Sequence, residues 1–527
     1  MKLNFTFLLF LAVFVFLSSC GTLKNLKLDP VEVSQNIEIE KSSEISEDDL
    51  QYWHLLDVQK DSIPGMSVLR SYDEILVDKK GDKVIVAIID SGVDISHPCL
   101  GESIWTNQEE IPNNHLDDDG NGYVDDIHGW NFLGNAEKEN LEVVRLLKTA
   151  EKDSDQYNEY KEYVDQKLAE IRPQSMMIST MYENTKKADS VAQKILGKAT
   201  YTLEDLETIE IDDSNEEYIP LLQYMKTNGF DLNDLKDYND YLYTQLNYHY
   251  NIDFDGRSIV GDNPHDFDDQ NYGDGRVSGP EHSDSSHGTH VSGIALFSCY
   301  GRDILPNVEI MVLRAVPDGD EYDKDVALAI RYAVDHGADI INTSFGKSFS
   351  PHPQWVYDAL KHAEENDVLI VNAAGNEGVN INHGEKPNFI RDHIDGVDFV
   401  DNFITVGATS RNYNANQVAS FSNYGNHQVD LFAPGEDVYS ALPNNKKDFN
   451  SGTSMAAPNV TAVSAVLRSY FPKLSASEIK HVLMTSGVPL FHSLTKPSSE
   501  EVVSSKELAK SPRMVNLYNA LIYASTL

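Results

Sequence analysis

The sequence has few basic residues and few cysteines for its length. Among 527 residues, 42 lysines and arginines stand against 84 aspartates and glutamates, which gives a formal charge of −42. A chain this acidic repels nucleic acid and anionic membrane surfaces, so we expect no nucleic-acid partner. There are three cysteines. With 41% hydrophobic and 24% charged residues and no long low-complexity tract, the composition is that of a globular protein.

The first residues contain an apolar run that is too short to cross a membrane comfortably. It extends from Phe5 to Leu17 behind Lys2, and it predicts an export signal. Leu17-Ser18-Ser19-Cys20 follows and resembles the lipobox of bacterial lipoproteins. This resemblance implies a signal peptide over 1–19 and a lipid on Cys20, which would anchor the protein to a bacterial membrane, at the outer membrane or the cell surface. The alternative is a plain secretory signal with an incidental Cys20.

Lipidation would leave two cysteines, Cys99 and Cys299. An even pair in an exported protein is compatible with one disulfide. The two residues lie too far apart in sequence for a zinc knuckle, so we expect no thiolate metal site.

Beyond about residue 80, strands alternate with amphipathic helices. The run Val84–Ile89 is apolar and β-branched, which is typical of a strand buried on both faces. The alternation predicts an α/β fold with a doubly wound, mostly parallel sheet, in which sites gather at the carboxyl ends of the strands. The other predicted elements are strands at 308–313, 339–343 and 368–372, and helices at 323–335, 355–366 and 459–470.

Two segments depart from this alternation. Residues 20–80 are polar and mixed, and we interpret them as an N-terminal extension with a short helix around 68–76. Residues 133–280 are rich in Glu, Lys, Asp and Tyr, with apolar residues at helical spacing. We interpret them as a helical acidic insertion, a solvated layer without a catalytic role. The α/β domain then comprises 81–132 and 281–527.

Three motifs carry residue types that act together in catalysis. Asp90 follows the first strand, where a partly buried carboxylate can orient an imidazole. His287 lies in His-Gly-Thr-His-Val-Ser-Gly, and the usual pKa of histidine suits a general base. Ser454 lies in Gly-Thr-Ser-Met-Ala-Ala-Pro at a predicted helix start, where free N–H groups favour a developing anion, and Pro458 should lie in the first turn. Taken singly, the motifs could be a turn, a metal-binding pair with His290, and a helix cap.

Together, the three motifs resemble the signatures of the subtilisin (subtilase) family in content and order. The order Asp, His, Ser is that of subtilisin and differs from the order in chymotrypsin and the α/β-hydrolases. The resemblance covers about 81–132 and 281–527. It implies a subtilisin-like fold and a serine endopeptidase acting on protein or peptide substrates, with Asp90, His287 and Ser454 as the catalytic triad and no cofactor for catalysis.

Two further segments are similar to family elements. Asn376 follows the strand 368–372 and resembles the residue whose amide binds the oxyanion, with Gly375 beside the substrate. Ser344-Phe345-Gly346 resembles the family's Ser-Leu-Gly edge, along which a peptide pairs as an added strand. Because Phe345 replaces the usual Leu, we expect narrower subsites next to it.

An acidic loop resembles the first part of an EF-hand. Its twelfth position is His128 and not Glu, which argues against a true EF-hand and favours a calcium loop that closes differently. A solvated acidic turn is the alternative, and it is the favoured interpretation of a second acidic stretch at 253–269. The predicted ligands of this structural Ca²⁺ are Asp117, Asp119, Asn121, Tyr123, Asp125 and Asp126.

The family pattern fails at one position. In many subtilases the residue after His-Pro is an Asp that ligates calcium, but this chain has His97-Pro98-Cys99. Cys299 lies near the end of the helix that carries the histidine motif. The resemblance implies that these two segments meet, so we expect a Cys99–Cys299 disulfide in place of the ion. Two buried free thiols are the alternative.

Two other classes of function compete with the enzyme. One is a surface-binding protein that keeps the fold without the chemistry, and the other is a cation-binding structural lipoprotein. Neither needs the four residues Asp90, His287, Asn376 and Ser454, all of which are present. We therefore predict a secreted, lipid-anchored, monomeric serine endopeptidase.

Overall fold

The computed structural model describes residues 23–33, 45–300, 304–382 and 388–527. The predicted signal peptide and Cys20 lie outside these residues. No helix in the described ranges has the length and apolar character needed to cross a membrane. The strands in these ranges are β1 Val84–Asp90, β2 Gly129–Asn131, β3 Val308–Arg314, β4 Ile340–Thr343, β5 Leu369–Ala373, β6 His393–Ile394, β7 Val397–Asp398, β8 Phe403–Thr409, β9 Leu431–Pro434, β10 Val438–Leu442, β11 Lys446–Asn450, β12 Val488–Pro489, β13 Ser493–Thr495, β14 Val502–Ser504 and β15 Arg513–Met514.

Nine of these strands form one sheet, in the order β12-β15-β9-β8-β5-β4-β1-β3-β2. All neighbours are parallel except β12, which runs antiparallel to β15. Strand β1 lies between β3 and β4, so the chain winds outward from it in both directions. The prediction of a doubly wound, mostly parallel sheet is confirmed. The carboxyl end of β1 is therefore the switch point where α/β proteins place their sites.

Helices cover both faces of the sheet and build the insertion. Short 3₁₀ turns occupy Trp53–Leu55, His282–Ser285 and Ser505–Glu507, and one π-helical turn occupies Gln245–His249. The α-helices are α1 Glu47–Gln51, α2 Val68–Glu74, α3 Glu142–Thr149, α4 Asp155–Leu196, α5 Leu203–Glu207, α6 Ile219–Thr227, α7 Leu232–Thr244, α8 Arg257–Val260, α9 Ser286–Ala295, α10 Asp323–Asp335, α11 Pro353–Glu365, α12 Thr453–Tyr470, α13 Ala476–Ser486 and α14 Leu517–Ala524.

The alternation of side chains along β1 divides the core into two layers. Val86 and Ile88 pack in the layer that contains α9 and α12. Ala87 and Ile89 point the other way and pack in the layer that contains α10 and α11. Because both faces are covered, β1 is apolar at every position before Asp90, as its sequence predicted.

The segment between β2 and α9 is helical, as predicted. Its longest helix, α4, has 42 residues and forms small cores of its own with α3 and with α5 and α6. The insertion is more than the solvated layer that we expected, however. Helix α3 buries Glu142 and Arg145 against the main body, where they form ion pairs. Charge-rich sequence gave no sign of this burial, because the partners lie far away along the chain.

The N-terminal extension packs on the α/β body. The backbone of Asn25 donates to the carbonyl of Ser525, and that of Val31 donates to Asn519 Oδ1 at 2.6 Å. Trp53 is fully buried, and its indole N–H donates to the carbonyl of Asp437. The short helix predicted around 68–76 is α2. The described part of this extension thus contributes to the core of the main domain.

Candidate active site

Asp90 is the last residue of β1, at the switch point of the sheet. Its side chain is buried, and its Oδ1 accepts a hydrogen bond from the backbone N–H of Ser91 at 2.7 Å. Its carbonyl accepts from the backbone N–H groups of Ala315 and Val316, just past β3. The carboxylate is therefore fixed at the carboxyl edge of the sheet, with its second oxygen unpaired within the described chain.

His287 lies in the first turn of α9 and faces Asp90. Its Nδ1 lies 2.8 Å from Asp90 Oδ1, while its side chain remains 41% exposed. The following residue, Gly288, allows this approach, because a Cβ there would lie 2.2 Å from the Gly92 carbonyl oxygen. The imidazole thus has one nitrogen held by a buried carboxylate and an edge open to the cleft.

The charge of Asp90 sets the basicity of His287. Burial lowers the pKa of the imidazole, but the Asp90 charge and hydrogen bond outweigh burial and raise that pKa above its ordinary value of 6.5. Asp90 therefore favours the protonated imidazole, which is the state that a general base reaches after it accepts a proton.

Ser454 is the second residue of α12, and it is bonded reciprocally to Ser344. Its hydroxyl donates to the Ser344 carbonyl at 2.9 Å, and the Ser344 hydroxyl donates to the Ser454 carbonyl at 3.0 Å. We expected Pro458 in the first turn of a later helix, but α12 begins at Thr453 and Pro458 lies inside it. Proline has no N–H for the carbonyl of Ser454, four residues earlier. The Ser344 hydroxyl satisfies that carbonyl instead, which explains how the helix tolerates this proline.

Asn376 lies beside the start of α12, and Thr453 fixes its orientation. Its Oδ1 accepts from the Thr453 backbone N–H at 2.8 Å and from the Thr453 hydroxyl at 3.0 Å. The carboxamide N–H₂ group must then point away from Thr453. A methyl group placed on Gly452 would lie 3.6 Å from both Asn376 Nδ2 and the backbone nitrogen of Ser454. The Asn376 amide nitrogen and the Ser454 backbone nitrogen therefore lie in the same small region.

The segment Ser344–Gly346 presents a free edge after β4. The next residue, Lys347, exchanges both backbone hydrogen bonds with Phe389, at 2.9 and 3.0 Å. Because backbone groups alternate in direction along an extended chain, those of Gly346 face the opposite way. They have no partner within the described residues, and Gly346 is exposed. Gly375 adopts a positive φ of 98° where the Asn423 side chain packs closely, so a side chain there would be strained.

Comparison with known proteins identifies the family. A family model described as "Subtilase family" matches residues 81–507. The chain belongs to the subtilase family. The match includes Asp90, His287, Asn376 and Ser454.

Curated relatives of this subtilase are similar over less than half of the chain. It is 35% identical to the thermophilic serine proteinase of Bacillus sp. (strain AK1), over 41% of this chain and 48% of that protein. It is also 35% identical to the major intracellular serine protease of Bacillus subtilis (strain 168), over 39% of this chain and 64% of that protein. Subtilisin DY of Bacillus licheniformis is 31% identical to this chain, over 39% of this chain and 72% of that protein. The chain thus spans about half to two thirds of the length of the first two.

A disulfide joins Cys99 and Cys299 in the structure. Their Cα atoms are 4.9 Å apart across a sequence separation of 200 residues. His97 lies beside the bond, but its two nitrogens contact the Cys99 backbone N–H and the Lys446 carbonyl. The segments that leave Asp90 and His287 therefore meet through this covalent bond.

The acidic loop brings together only part of the predicted calcium ligands. Asp119 and Asp126 converge with Glu110, with one oxygen of each residue within 4.8 Å of the others. Asn121 Nδ2 donates to both aspartates at 3.0 Å. Asp117 instead accepts from backbone N–H groups of its own loop, and Asp125 accepts from those of Asn114 and His115. Tyr123 was predicted to bind the ion through its backbone carbonyl, and its ring packs on Trp130 and Tyr332.

Two residues of these sites were missed by the sequence reasoning. Thr453 was noted only as part of the Gly-Thr-Ser motif and was given no role of its own, although it fixes the orientation of Asn376. Glu110 was not predicted at all, and its carboxylate accepts from the backbone N–H groups of Asp118 and Asp125. The Gly-Thr-Ser motif could have indicated Thr453, because it places this residue directly before the predicted nucleophile. No local pattern marks Glu110.

Proposed function

We propose that this subtilase is a serine endopeptidase that hydrolyses peptide bonds by acyl transfer. The observation that carries the proposal is the 2.8 Å contact between Asp90 and His287 at the switch point of the sheet. Ser454 and the Asn376 amide lie at the same edge, on α12 and after β5. A binding protein that had lost its chemistry would have no use for this arrangement.

The chemistry begins at Ser454. The Nδ1–H of His287 donates to Asp90, which leaves Nε2 as the base. When substrate binds, the Ser454 hydroxyl exchanges the Ser344 carbonyl for Nε2, since such contacts are often loose before substrate arrives. As the proton moves to His287, the Ser454 oxygen attacks the carbonyl carbon of the scissile bond. Asp90 stabilises the imidazolium that forms.

The remaining steps return the enzyme to its starting state. His287 gives its proton to the departing amine, the C–N bond breaks and an acyl-enzyme remains on Ser454. Water then attacks the ester, His287 accepts the water proton, and breakage of the C–O bond returns a proton to Ser454. In both steps the oxyanion lies between the Asn376 amide and the Ser454 backbone N–H, whose preorganised dipoles lower the barrier.

The substrate is a protein or peptide in extended form. The free backbone groups of Gly346 suit an added strand, which gives affinity from main-chain hydrogen bonds regardless of sequence. Phe345, half-buried beside this edge, narrows the adjacent subsites. We infer that cleavage depends on an accessible extended segment.

Hydrolysis of an internally quenched peptide library tests this function. Replacing Ser454 by Ala should lower turnover by several orders of magnitude, because the nucleophile is lost. Ser464 provides a matched control in the same helix, because its hydroxyl donates to the Val460 carbonyl within α12. Ser464→Ala should keep wild-type turnover. Equal activity of Ser454→Ala and the wild type would refute the proposal.

We also propose that the protein is exported and anchored by a lipid on Cys20. The apolar run before Cys20 and the lipobox resemblance support this location. Growth of the producing bacterium with an alkyne-tagged fatty acid should label the wild type and leave Cys20→Ser unlabelled. If the wild type carries no label, Cys20 is not lipidated and the alternative of a plain secretory signal holds.

A structural Ca²⁺ in the acidic loop is our third proposal. Carboxylate and amide oxygens are the ligands that Ca²⁺ prefers, and Glu110, Asp119 and Asp126 are placed to hold it. Ca²⁺ should raise the melting temperature more than Mg²⁺ does, and Asp119→Ala should abolish the difference. Asp118→Asn is the control, because Asp118 is exposed and bonds Asn114 outside the cluster. An unchanged Ca²⁺ response in Asp119→Ala would place the ion elsewhere.

A further inference from the structure

Lys347 is a buried lysine directly after the segment that we assign to substrate. Its side chain is 2% exposed, and its Nζ lies 2.9 Å from Glu142 Oε2 and 2.9 Å from Asp323 Oδ1. The same ammonium group donates to the Glu321 carbonyl at 2.7 Å. Three oxygens therefore surround the charge, and each comes from a different element of the fold.

Glu142 brings the insertion into this cluster. It is the first residue of α3, and its carboxylate also pairs with Arg145 one turn later. Arg145 in turn donates to the backbone carbonyls of Asp320 at 2.7 Å and Glu321 at 3.0 Å. Helix α3 is thus bonded to the loop between β3 and α10 as well as to Lys347.

Asp323 connects the cluster to the chain beyond Lys347. Its Oδ1 accepts from the Ser350 hydroxyl at 2.9 Å, and its Oδ2 accepts from the His352 backbone N–H at 2.7 Å. Phe349 packs against Tyr160 and Tyr163 of α4, with ring centroids 5.8 and 6.2 Å away. The whole segment that leaves the substrate edge is held by the insertion and by α10.

Lys347 and Glu142 of this cluster both keep their charges near neutral pH. Burial lowers the pKa of Lys347, but Glu142 and Asp323 outweigh it and raise that pKa to about 12. Burial raises the pKa of Glu142, but Lys347 and Arg145 outweigh it and lower that pKa to about 2. Removal of one partner would therefore leave the other charged and buried, which disturbs the local backbone.

We propose that the insertion positions the substrate edge, and that Lys347 is the positioning residue through which it acts. The ammonium group fixes Lys347 to Glu142 and Asp323 while the Lys347 backbone is paired with Phe389. Because the side chain and the backbone of Lys347 are both held, Ser344–Gly346 keeps the extended conformation that an added substrate strand requires. The inference rests on the proposed peptidase function, because it assigns a role in that reaction.

The test compares a long substrate with a small probe. An extended peptide must pair along Ser344–Gly346, whereas a small fluorophosphonate reacts with Ser454 without using that edge. In Lys347→Met, kcat/KM for a quenched octapeptide should fall about tenfold or more, mainly through KM, because a misplaced edge binds substrate poorly. The labelling rate should stay near that of the wild type. Lys161→Met is the matched control, because Lys161 pairs with Asp165 on the exposed surface of α4.

Glu142→Gln provides a milder variant if Lys347→Met does not fold. It keeps the size of the side chain and removes the charge. We therefore expect kcat/KM for the octapeptide to fall while the labelling rate stays near that of the wild type. The double variant should lose less than the product of the two single losses, because both disrupt one cluster. Amide hydrogen exchange at Lys347, whose N–H is bonded to the Phe389 carbonyl, should become faster in Glu142→Gln in the inactive Ser454→Ala background.

Three results would overturn the inference. Equal losses on the octapeptide and on labelling would indicate a general structural defect. Unchanged octapeptide kinetics in folded Glu142→Gln would show that the cluster does not position the edge. A wild type that neither cleaves nor labels would overturn the peptidase function together with the inference.

Discussion

Two buried histidines should make the stability of this protein fall steeply below about pH 6.5. His54 and His290 are both fully buried, and the Nδ1 of each has no hydrogen-bond partner within the described residues. Burial lowers the pKa of His54 to about 3, with a further contribution from the charge of His290. Burial likewise lowers the pKa of His290 to about 4, against a hydrogen bond to the Asp448 carbonyl.

The direction of the pH effect on stability depends on whether the folded or the unfolded protein binds more protons. An unfolded histidine takes up a proton below its ordinary pKa of 6.5, whereas the folded protein keeps both imidazoles neutral. The free energy of unfolding therefore decreases as the pH falls through 6.5, and the loss ends near the folded pKa values of about 4 and about 3. Between about pH 7.5 and about pH 5, each histidine should account for a loss of about 2 kcal/mol.

Denaturant unfolding at these two pH values measures the effect. The inactive Ser454→Ala protein is the parent, because it cannot digest itself. His54→Gln retains a polar group for the Tyr300 hydroxyl, which lies 3.1 Å from His54 Nε2, but it cannot titrate. On acidification this variant should lose about 2 kcal/mol less than the parent.

The exposed His427 provides the control. His427→Gln should lose as much stability on acidification as the parent does. The reasoning is refuted if His54→Gln and the parent lose the same free energy between the two pH values.

Three further predictions concern the disulfide and the active site. Replacing Cys99 and Cys299 by Ser opens a loop of 200 residues, which should lower the free energy of unfolding by about 5 kcal/mol in the chain-entropy model; equal stability with and without reductant would contradict this. Asn376→Ala should lower turnover by roughly 10²–10³, a magnitude established on subtilisin itself, with little change in KM, and a pure KM effect would argue against an oxyanion role. Because Asp90 raises the pKa of His287, kcat/KM should fall on acidification with a midpoint above 6.5, and a midpoint below that value would contradict the assigned contact.

The central strand β1 and the motifs that carry the catalytic residues could be predicted because their signals are local. Val84–Ile89 is apolar at each position since both faces of β1 are covered, and such a run identifies a central parallel strand. Asp90, His287 and Ser454 lie at strand ends or helix starts, where three short motifs mark them. Five further strands of the same sheet were not assigned by our sequence reasoning: β2, β8, β9, β12 and β15.

The features that could not be predicted depend on contacts between distant residues. Lys347 and Glu142 are 205 residues apart. Glu142 lies in the insertion that we interpreted as a solvated layer, and no pattern next to Lys347 indicates that its side chain is buried. The start of α12 before Pro458 depends on a hydroxyl 110 residues away, which satisfies the carbonyl that proline leaves free. Glu110 lies close to Asp119 and Asp126 because of the path of the loop, and no sequence motif connects the three residues.

The most direct test of the central claim is to locate the nucleophile chemically. The folded protein is treated with a fluorophosphonate, digested and analysed by peptide mass spectrometry. We predict one adduct, on Ser454, which is absent from Ser454→Ala and forms far more slowly in His287→Ala because the base is missing. An adduct on another serine, or labelling that survives in Ser454→Ala, would contradict the account.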